Sequence, residues 1–207
     1  MSVVIIDYGM CNLGSVKRAF EECGASTLIS NDPRDAELAT HLVLPGVGSF
    51  GDAMKNIVDL GWDKAIKKNV LDSKVPILGI CLGMQLLADK GLEGGQHIGL
   101  GLIEGDVIKL HSERPDDKLK IPHIGWNEIH KENDHKLFGE INEATDFYFV
   151  HSYFFKAKNQ DNILAKTHYG LDFPSVIGSG KVLGVQFHPE KSSRPGFQLI
   201  RNFLTIN

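Results

Sequence analysis

Short apolar runs alternate with helical patterns along the first half of the chain. Residues 3–7, 41–44 and 76–80 are nearly continuous apolar runs, typical of strands buried on both faces, and residues 27–30 form a further short strand. Apolar residues at helical spacing, with stop signals such as Gly24, predict helices at 12–23, 33–38, 50–60, 62–71 and 82–90. This alternation predicts a parallel sheet with helices on both faces.

The pattern changes from about residue 99 onward. Strand-like segments follow one another across short turns, with no long helix between them, at 107–110, 126–129, 147–155, 163–169 and 182–187. An amphipathic helix is predicted at 195–204. The predicted fold is therefore α/β in a single domain, 1–207, with a mostly parallel central sheet, flanking helices and an antiparallel C-terminal extension.

Composition narrows the classes of function. The 207 residues carry a formal net charge of −4, which argues weakly against a nucleic-acid partner because phosphate binding favours a basic surface. No apolar stretch approaches the roughly 20 residues of a membrane span, and the first residues lack the pattern of a signal peptide. Three widely spaced cysteines predict a cytoplasmic protein with free thiols. Their spacing is not that of metal ligands, and we expect neither a metal nor a cofactor.

The first candidate for chemistry is Cys81, between a predicted buried strand and a predicted helix. Gly79 and Gly83, two residues away on either side, complete the cysteine version of a nucleophile-elbow pattern. Such a turn lifts the sulfur above the end of the sheet, and the N-terminus of the following helix favours a thiolate. The N–H of Leu82 can then contact a developing oxyanion. The alternative is a structural cysteine buried at a tight turn.

His188 and Glu190 are the second candidate, at the end of the last predicted strand. A thiol nucleophile needs a base, and the base benefits from a group that fixes its tautomer. Because the two residues are two positions apart, their side chains point to the same side of an extended backbone. Taken alone, His188 is more often a surface or core histidine. Taken together with Cys81, a Cys-His-Glu triad is the better interpretation.

A glycine-rich turn at 44–50 (LPGVGSF) follows another predicted buried strand. At the carboxyl end of a strand such a turn can offer backbone N–H groups to an anion. The alternatives are a plain strand-to-helix turn and a phosphate cradle. No Lys-Ser or Lys-Thr pair follows the glycines, so a P-loop is excluded.

Several segments, spread over nearly the whole chain, match the motifs of one family. They are 7–13 (DYGMCNL), 44–54 (LPGVGSFGDAM), 79–86 (GICLGMQL), 99–102 (GLGL), 122–127 (PHIGWN), 148–153 (YFVHSY) and 185–192 (VQFHPEKS). With these motifs the chain resembles the class I glutamine amidotransferases, which implies a flavodoxin-like sheet. PGVG, GWN and YFVHSY resemble the members that supply ammonia in histidine biosynthesis. The chain departs from those members at Cys11, where they usually carry Gly.

The resemblance also implies roles for the matching residues. Cys81 is the expected nucleophile, His188 the general base and acid, and Glu190 the residue that orients His188. The implied oxyanion hole consists of the N–H groups of Val47, Gly48 and Leu82. The implied glutamine-binding residues are Gln85, Glu93, His151, Ser152 and Tyr153. The residues expected near a partner interface are Asn12, Trp126 and Lys181, although Trp126 could equally lie in the core and Lys181 in a solvated turn.

The implied activity is hydrolysis of L-glutamine through a γ-glutamyl thioester, with transfer of the ammonia to a separate synthase. No second catalytic domain is recognised in these residues, so a partner must dock against the active-site face. The implied partner is a cyclase subunit with a (β/α)₈ barrel, in a heterodimer. Three alternatives stay open: a paralogous amidotransferase of surface-sugar biosynthesis (lipopolysaccharide or nonulosonate), a Cys peptidase or γ-glutamyl hydrolase that acts alone, and a non-catalytic scaffold subunit.

Overall fold

The computed structural model describes residues 1–113 and 119–207. The strands are β1 (Ser2–Ile6), β2 (Ser26–Ser30), β3 (His41–Leu44), β4 (Ile77–Ile80), β5 (Lys90–Gly91), β6 (His97–Ile98), β7 (Gly105–Lys109), β8 (His123–Lys131), β9 (Thr145–His151), β10 (Tyr153–Ala157), β11 (Ile163–His168), β12 (Asp172–Ser179) and β13 (Val182–Val185). The α-helices are α1 (Leu13–Glu22), α2 (Phe50–Leu60), α3 (Trp62–Lys67), α4 (Leu82–Leu86) and α5 (Ser193–Leu204). A π-helical turn, Lys68–Asp72, follows α3, and 3₁₀ segments lie at Pro33–Leu38, Lys136–Phe138, Gln160–Asn162 and Pro189–Lys191.

Within this part of the chain, nine strands form one mixed sheet in the order β2-β1-β3-β4-β13-β12-β11-β8-β9. The strands from β2 to β13 are parallel to their neighbours. From β13 to β9 each neighbouring pair is antiparallel. A smaller sheet has the order β10-β7-β5-β6. The predicted fold class, a parallel sheet with an antiparallel C-terminal extension, is confirmed.

The parallel strands β1, β3, β4 and β13 are almost wholly apolar because helices cover both faces of the sheet, whereas the edge strand β2 is partly exposed. In β1, Val3 and Ile5 pack into the core beneath α1 and α5, whereas Val4 and Ile6 pack into the core beneath α2 and α3. All four side chains are fully buried. Burial of such a side chain contributes roughly 1.5–3 kcal/mol, so a single strand stabilises both layers. No helix of residues 1–113 or 119–207 has the length and apolar character needed to cross a membrane.

Two predicted elements differ from the structure because distant segments compete for their hydrogen bonds. The helix predicted at 82–90 ends at Leu86, since the carbonyls of residues 86–88 accept hydrogen bonds from the N–H groups of residues 100–103. The strand predicted at 147–155 is two strands, β9 and β10, which pair with β8 and β7 in different sheets. The break between them falls at Ser152, beside the site described below.

Two further differences concern the last strands. β12 has no counterpart among the predicted strands, because Pro174 and Gly178 lie within it and both residue types are unfavourable in strand interiors. The segment predicted at 182–187 forms β13, which is antiparallel to β12 but parallel to β4. β13 therefore completes the parallel half of the sheet instead of belonging wholly to the antiparallel extension.

The four inner parallel strands, like the edge strand β2, end at the same edge of the sheet. The chain leaves β1, β3, β4 and β13 at Asp7, Pro45, Cys81 and Gln186. In open α/β sheets, ligands bind outside the carboxyl ends of the strands. The candidate site lies at this edge.

Candidate active site

Cys81 lies on the sharp turn between β4 and α4, as the N-cap residue of α4. Its φ of 55° and ψ of −109° lie in a sparsely populated region that costs a non-glycine residue about 1–3 kcal/mol. A Cβ on Gly83 would lie 1.7 Å from the Leu44 carbonyl oxygen, and one on Gly79 would lie 2.6 Å from the Gly83 carbonyl oxygen. Both flanking glycines are therefore required sterically, as their spacing predicts.

The neighbouring strand places His188 beside this turn. β13 is parallel to β4 with Val185 opposite Ile80, and the Cys81 N–H donates to the Val185 carbonyl at 2.8 Å. His188 follows three residues later, where its N–H donates to the Tyr148 carbonyl at 2.9 Å. Cys81 and His188 thus leave adjacent strands at one edge, and both line the same cavity.

Glu190 contacts His188, but by a different local structure from the one expected. The distance from His188 Nδ1 to Glu190 Oε1 is 2.8 Å, and the two side chains are only 6% and 2% exposed. The extended backbone expected here is wrong, because Pro189 begins a 3₁₀ turn that folds Glu190 back towards the ring. Since a carboxylate can only accept, the proton of this bond lies on Nδ1, which leaves Nε2 to interact with the sulfur.

The electrostatic surroundings favour the protonated ring of His188. Burial lowers the pKa of His188, but the hydrogen bonds and negative charges of Cys81 and Glu190 outweigh it and raise the pKa to about 10. The imidazolium of His188 is then a proton donor at neutral pH, and it lies beside the sulfur of the candidate nucleophile.

One cavity of about 320 Å³ brings the predicted catalytic and substrate-binding residues together. Those that line it are Val47, Gly48, Cys81, Leu82, Gln85, Glu93, His151, Ser152, Tyr153 and His188. Glu190 lies behind His188 instead of lining the cavity. Pro122, Val150 and Lys191 complete the wall and were not among the predicted residues.

The predicted oxyanion donors differ in their availability. Leu82 is the first residue of α4. The N–H groups of the first turn of a helix have no acceptor within that helix, so the Leu82 N–H is available to a ligand. The Val47 N–H, in contrast, donates to the Met10 carbonyl at 2.9 Å. Gly48 has a φ of 107°, a conformation that glycine adopts without strain. While its bond to the Met10 carbonyl is intact, the Val47 N–H is not free to contact an oxyanion.

Glu93 and Gln85 line the cavity from two sides. The Phe50 N–H, at the first residue of α2, donates to Glu93 Oε2 at 2.8 Å, which places the carboxylate at the positive end of that helix. The side-chain amide of Gln85 is buried and donates from Nε2 to the Tyr153 carbonyl at 2.7 Å. Gln85 is therefore a buried residue of the cavity wall and not a residue of the helix surface.

Gln186 contacts the candidate nucleophile although it was not among the predicted site residues. Its fully buried side chain accepts from Gln85 Nε2 at 3.0 Å, and its own Nε2 lies 3.9 Å from Cys81 Sγ. A sequence signal for it existed: Gln186 is a polar residue at the end of an apolar strand, two positions before His188. A fully buried amide there needs partners, and Gln85 and Cys81 of the site supply them.

The amino-acid sequence matches the model of the family described as glutamine amidotransferase class-I over residues 4–206. This chain belongs to the class I glutamine amidotransferase family.

Relatives of this amidotransferase agree with the assignment. The chain is 48% identical to imidazole glycerol phosphate synthase subunit HisH 1 of Campylobacter jejuni, over 99% of this chain and 100% of the relative. It is 46% identical to imidazole glycerol phosphate synthase subunit HisH of Aquifex aeolicus, over 98% and 96% of the two chains. A crystal structure of a glutamine amidotransferase from Thermotoga maritima has the same fold, with a TM-score of 0.65 at 21% identity, over 99% of this chain and 82% of that one.

Cys11, the departure from the family motif, contacts the glycine-rich turn of the amidotransferase. Its Sγ lies 3.4 Å from the Pro45 carbonyl oxygen, to which the thiol can donate. Burial raises the pKa of Cys11 to about 11, so this sulfur stays protonated at neutral pH. Cys11 is therefore a weak hydrogen-bond donor beneath the turn and not a second nucleophile.

Two of the residues predicted at a partner interface, Asn12 and Trp126, are exposed. Asn12 precedes α1 at the edge of the sheet where Cys81 lies, and its side chain makes no capping hydrogen bond. Trp126 is 53% exposed on β8, and Ile124 on the same strand is 59% exposed. β8 begins at His123, next to Pro122 of the cavity wall. The alternative of Trp126 as a core residue is therefore wrong.

Lys181, the third residue predicted at the interface, lies at the opposite edge. It precedes β13, and its carbonyl accepts from the Ile77 N–H at the start of β4. Cys81 follows the other end of β4, so the length of the strand separates the two residues. The expectation that Lys181 lies on the active-site face is wrong, whereas Lys191 is exposed and lines the cavity.

Proposed function

We propose that this amidotransferase is the glutaminase subunit of an imidazole glycerol phosphate synthase. In this function it hydrolyses L-glutamine to glutamate and passes the ammonia to a cyclase subunit. The names of relatives at 48% and 46% identity over nearly the full chain support this assignment. The observation that carries the chemistry is that Cys81 and His188 line one cavity and that Glu190 is paired with His188 behind it. Cys81 itself lies on a strained strand-to-helix turn.

The first half of the reaction forms a thioester. The Cys81 thiolate attacks the side-chain carboxamide carbon of glutamine and forms the C–S bond. His188 donates its Nε2 proton to the nitrogen as the C–N bond breaks, so the leaving group is neutral ammonia. General acid catalysis of this kind contributes roughly 10²–10⁴ in rate.

The second half releases glutamate and restores the site. Neutral His188 removes a proton from water, which attacks the thioester carbon. The C–S bond breaks, Cys81 leaves as a thiolate, and His188 is again protonated. Glu190 supports both halves because it holds the Nδ1 proton and stabilises the imidazolium.

The oxyanion of both steps needs donors at the glycine-rich turn and at α4. The Leu82 N–H is available, whereas the Val47 N–H contributes only after its bond to the Met10 carbonyl breaks. One such donor is worth about 10²–10³ in rate. Because the Val47 N–H is occupied, we expect glutamine hydrolysis by the isolated subunit to be slow. The rate should rise once a partner reorganises this turn.

The partner proposed here is a (β/α)₈-barrel cyclase subunit that docks on the active-site face, in the cytoplasm and as a heterodimer. The exposed Ile124 and Trp126, together with Asn12 and Lys191, supply apolar and polar contacts around the cavity mouth. Direct docking has a chemical reason, since ammonia released into neutral water is mostly protonated and no longer nucleophilic.

Rescue of a histidine auxotroph tests the pathway. A strain that lacks its own glutaminase subunit and carries this chain with its native cyclase should grow without histidine. Growth would exclude a surface-sugar amidotransferase as the main function. Failure to grow, with both proteins present and soluble, would contradict the proposal and favour the surface-sugar alternative.

A Glu190→Gln variant tests the orienting role of the carboxylate. Because the hydrogen bond and charge of Glu190 help to raise the pKa of His188, their loss lowers that pKa. The imidazolium should then be lost at a lower pH, so the basic limb of kcat/KM against pH should move towards neutral. We also expect a fall of at least about tenfold at neutral pH.

The measurement is glutamate release by the complex across the neutral and alkaline range. Glu22→Gln, at the exposed end of α1, is the matched control and should leave both the rate and the limb unchanged. An unchanged basic limb in Glu190→Gln would contradict the role assigned to Glu190.

A further inference from the structure

Two buried histidines outside the proposed triad, His123 and His151, are here called the histidine relay. They lie opposite each other on β8 and β9, and both are at most 5% exposed. His123 Nδ1 is 3.0 Å from His151 Nε2, and His151 Nδ1 is 2.9 Å from the Tyr153 carbonyl oxygen. The imidazole rings thus connect β8 to the backbone of the cavity wall.

The geometry determines where each proton lies. The Tyr153 carbonyl can only accept, so His151 carries its proton on Nδ1. Burial lowers the pKa of His151 to about 3 and that of His123 to about 4, so each ring is neutral and holds one proton. His151 Nε2 must then accept, and His123 must donate from Nδ1. His123 Nε2 is left as an acceptor facing Asn127 Nδ2 at 3.5 Å.

The carbonyl at the end of the relay also binds Gln85. Gln85 Nε2 donates to the Tyr153 carbonyl at 2.7 Å and to Gln186 Oε1 at 3.0 Å. Both amide hydrogens are used in this way, which fixes the orientation of the amide group. Gln85 lines the cavity, and its Oε1 is therefore the atom available to an N–H donor of a ligand.

We propose that His123 and His151 are positioning residues for glutamine binding: the relay holds the Tyr153 carbonyl, and that carbonyl presents the amide of Gln85 to the substrate. This inference rests on the proposed function for the identity of the ligand. His123 touches no cavity atom itself, so it acts through His151. Its ring is stacked on Tyr169 with centroids 3.9 Å apart and on Phe149 with centroids 5.0 Å apart, which limits its rotation.

Two substitutions of His123 separate positioning from packing. In His123→Phe the aromatic stacking is retained, but the donor to His151 is lost. In His123→Asn the side-chain amide keeps a donor near the Nδ1 position, but the stacking is lost. Positioning predicts that the Phe variant is worse in glutamine binding, whereas a purely structural role predicts that the Asn variant is worse in every property.

The assay is glutamine hydrolysis by the complex with its cyclase, with KM and kcat determined separately. For His123→Phe we expect KM for glutamine to rise about fivefold or more, since one buried hydrogen bond is lost, while kcat changes less. His123→Asn should stay within about twofold of the parent KM although its melting temperature is lower. Equal KM values for the two variants, or a higher KM in the Asn variant, would overturn the proposal.

Nitrogen NMR of the imidazole rings tests the relay without any activity. At neutral pH both histidines should show a protonated Nδ1 and an unprotonated Nε2, and the His151 Nε2 signal should shift in His123→Phe but not in His123→Asn. Protonation of His151 at Nε2 would overturn the inference. If the parent complex failed to hydrolyse glutamine, the proposed function would fall, and these spectra would still decide whether the relay exists.

Discussion

A Cys81→Ala variant should lose glutamine-dependent synthesis by the complex while synthesis from added ammonium salts continues. Cys81 is the thiol beside His188 in the cavity, and without its sulfur no thioester can form. In an enzyme whose triad acts as a unit, loss of the nucleophile lowers kcat by up to about 10⁶, so we expect a fall of at least about 10⁴. In the proposed complex the acceptor site lies in the partner, so supplied ammonia should bypass the missing step.

The matched control is Cys23→Ala. The Cys23 thiol lies 3.4 Å from the Phe197 carbonyl oxygen, between α1 and α5 and away from the cavity. This variant should keep the glutamine-dependent rate. Retained use of glutamine in Cys81→Ala would remove Cys81 as the nucleophile, and loss of both activities would indicate a docking or folding defect instead.

A Gly83→Ala variant should be strongly destabilised. The added Cβ would lie 1.7 Å from the Leu44 carbonyl oxygen, a backbone atom that cannot rotate away. Either α4 or β3 must shift, and overpacking of a rigid core costs about 3 kcal/mol or more. For a chain of this size that loss lowers the melting temperature by about 6–12 °C. The same shift moves Cys81, so glutaminase activity should fall as well.

Gly14→Ala is the control for this substitution. Gly14 lies in α1, and a Cβ there would meet no atom of residues 1–113 or 119–207 within 4 Å. Alanine is favoured over glycine in helices by up to about 1 kcal/mol, so the melting temperature should stay the same or rise slightly. If Gly83→Ala had the same melting temperature as the parent, α4 would not approach β3 as closely as described here.

Local patterns predicted the parts of the site that neighbouring residues create. Gly79, Cys81 and Gly83 define a turn through their own steric properties, and the prediction needs no other segment. The contact between His188 and Glu190 was also predicted, although for the wrong reason: the nearby proline makes a 3₁₀ turn where an extended backbone was expected. A spacing of two residues is compatible with a contact between His188 and Glu190 in either backbone conformation, so it did not specify which one forms.

Contacts between distant segments could not be predicted in this way. Lys181 was expected at the active-site face, but the direction of β13 puts it at the other edge and leaves Lys191 at the cavity. Gln186 stands out locally as a polar residue at the end of an apolar strand, but its partners Gln85 and Cys81 lie 101 and 105 positions away in the sequence. The split of β9 from β10 likewise follows from pairing with strands far apart in sequence.

The sequence by itself determined the α/β fold class, the strained cysteine turn and the candidate triad, because apolar periodicity, glycine spacing and short motifs act within a few residues. Only the tertiary structure decided which side chains share the cavity and which ring nitrogens of the histidine relay carry a proton. The relay and its extension to Gln85 and Gln186 join residues 28, 68 and 101 positions apart. Such contacts depend on sheet order and register, which arise only when the whole core packs.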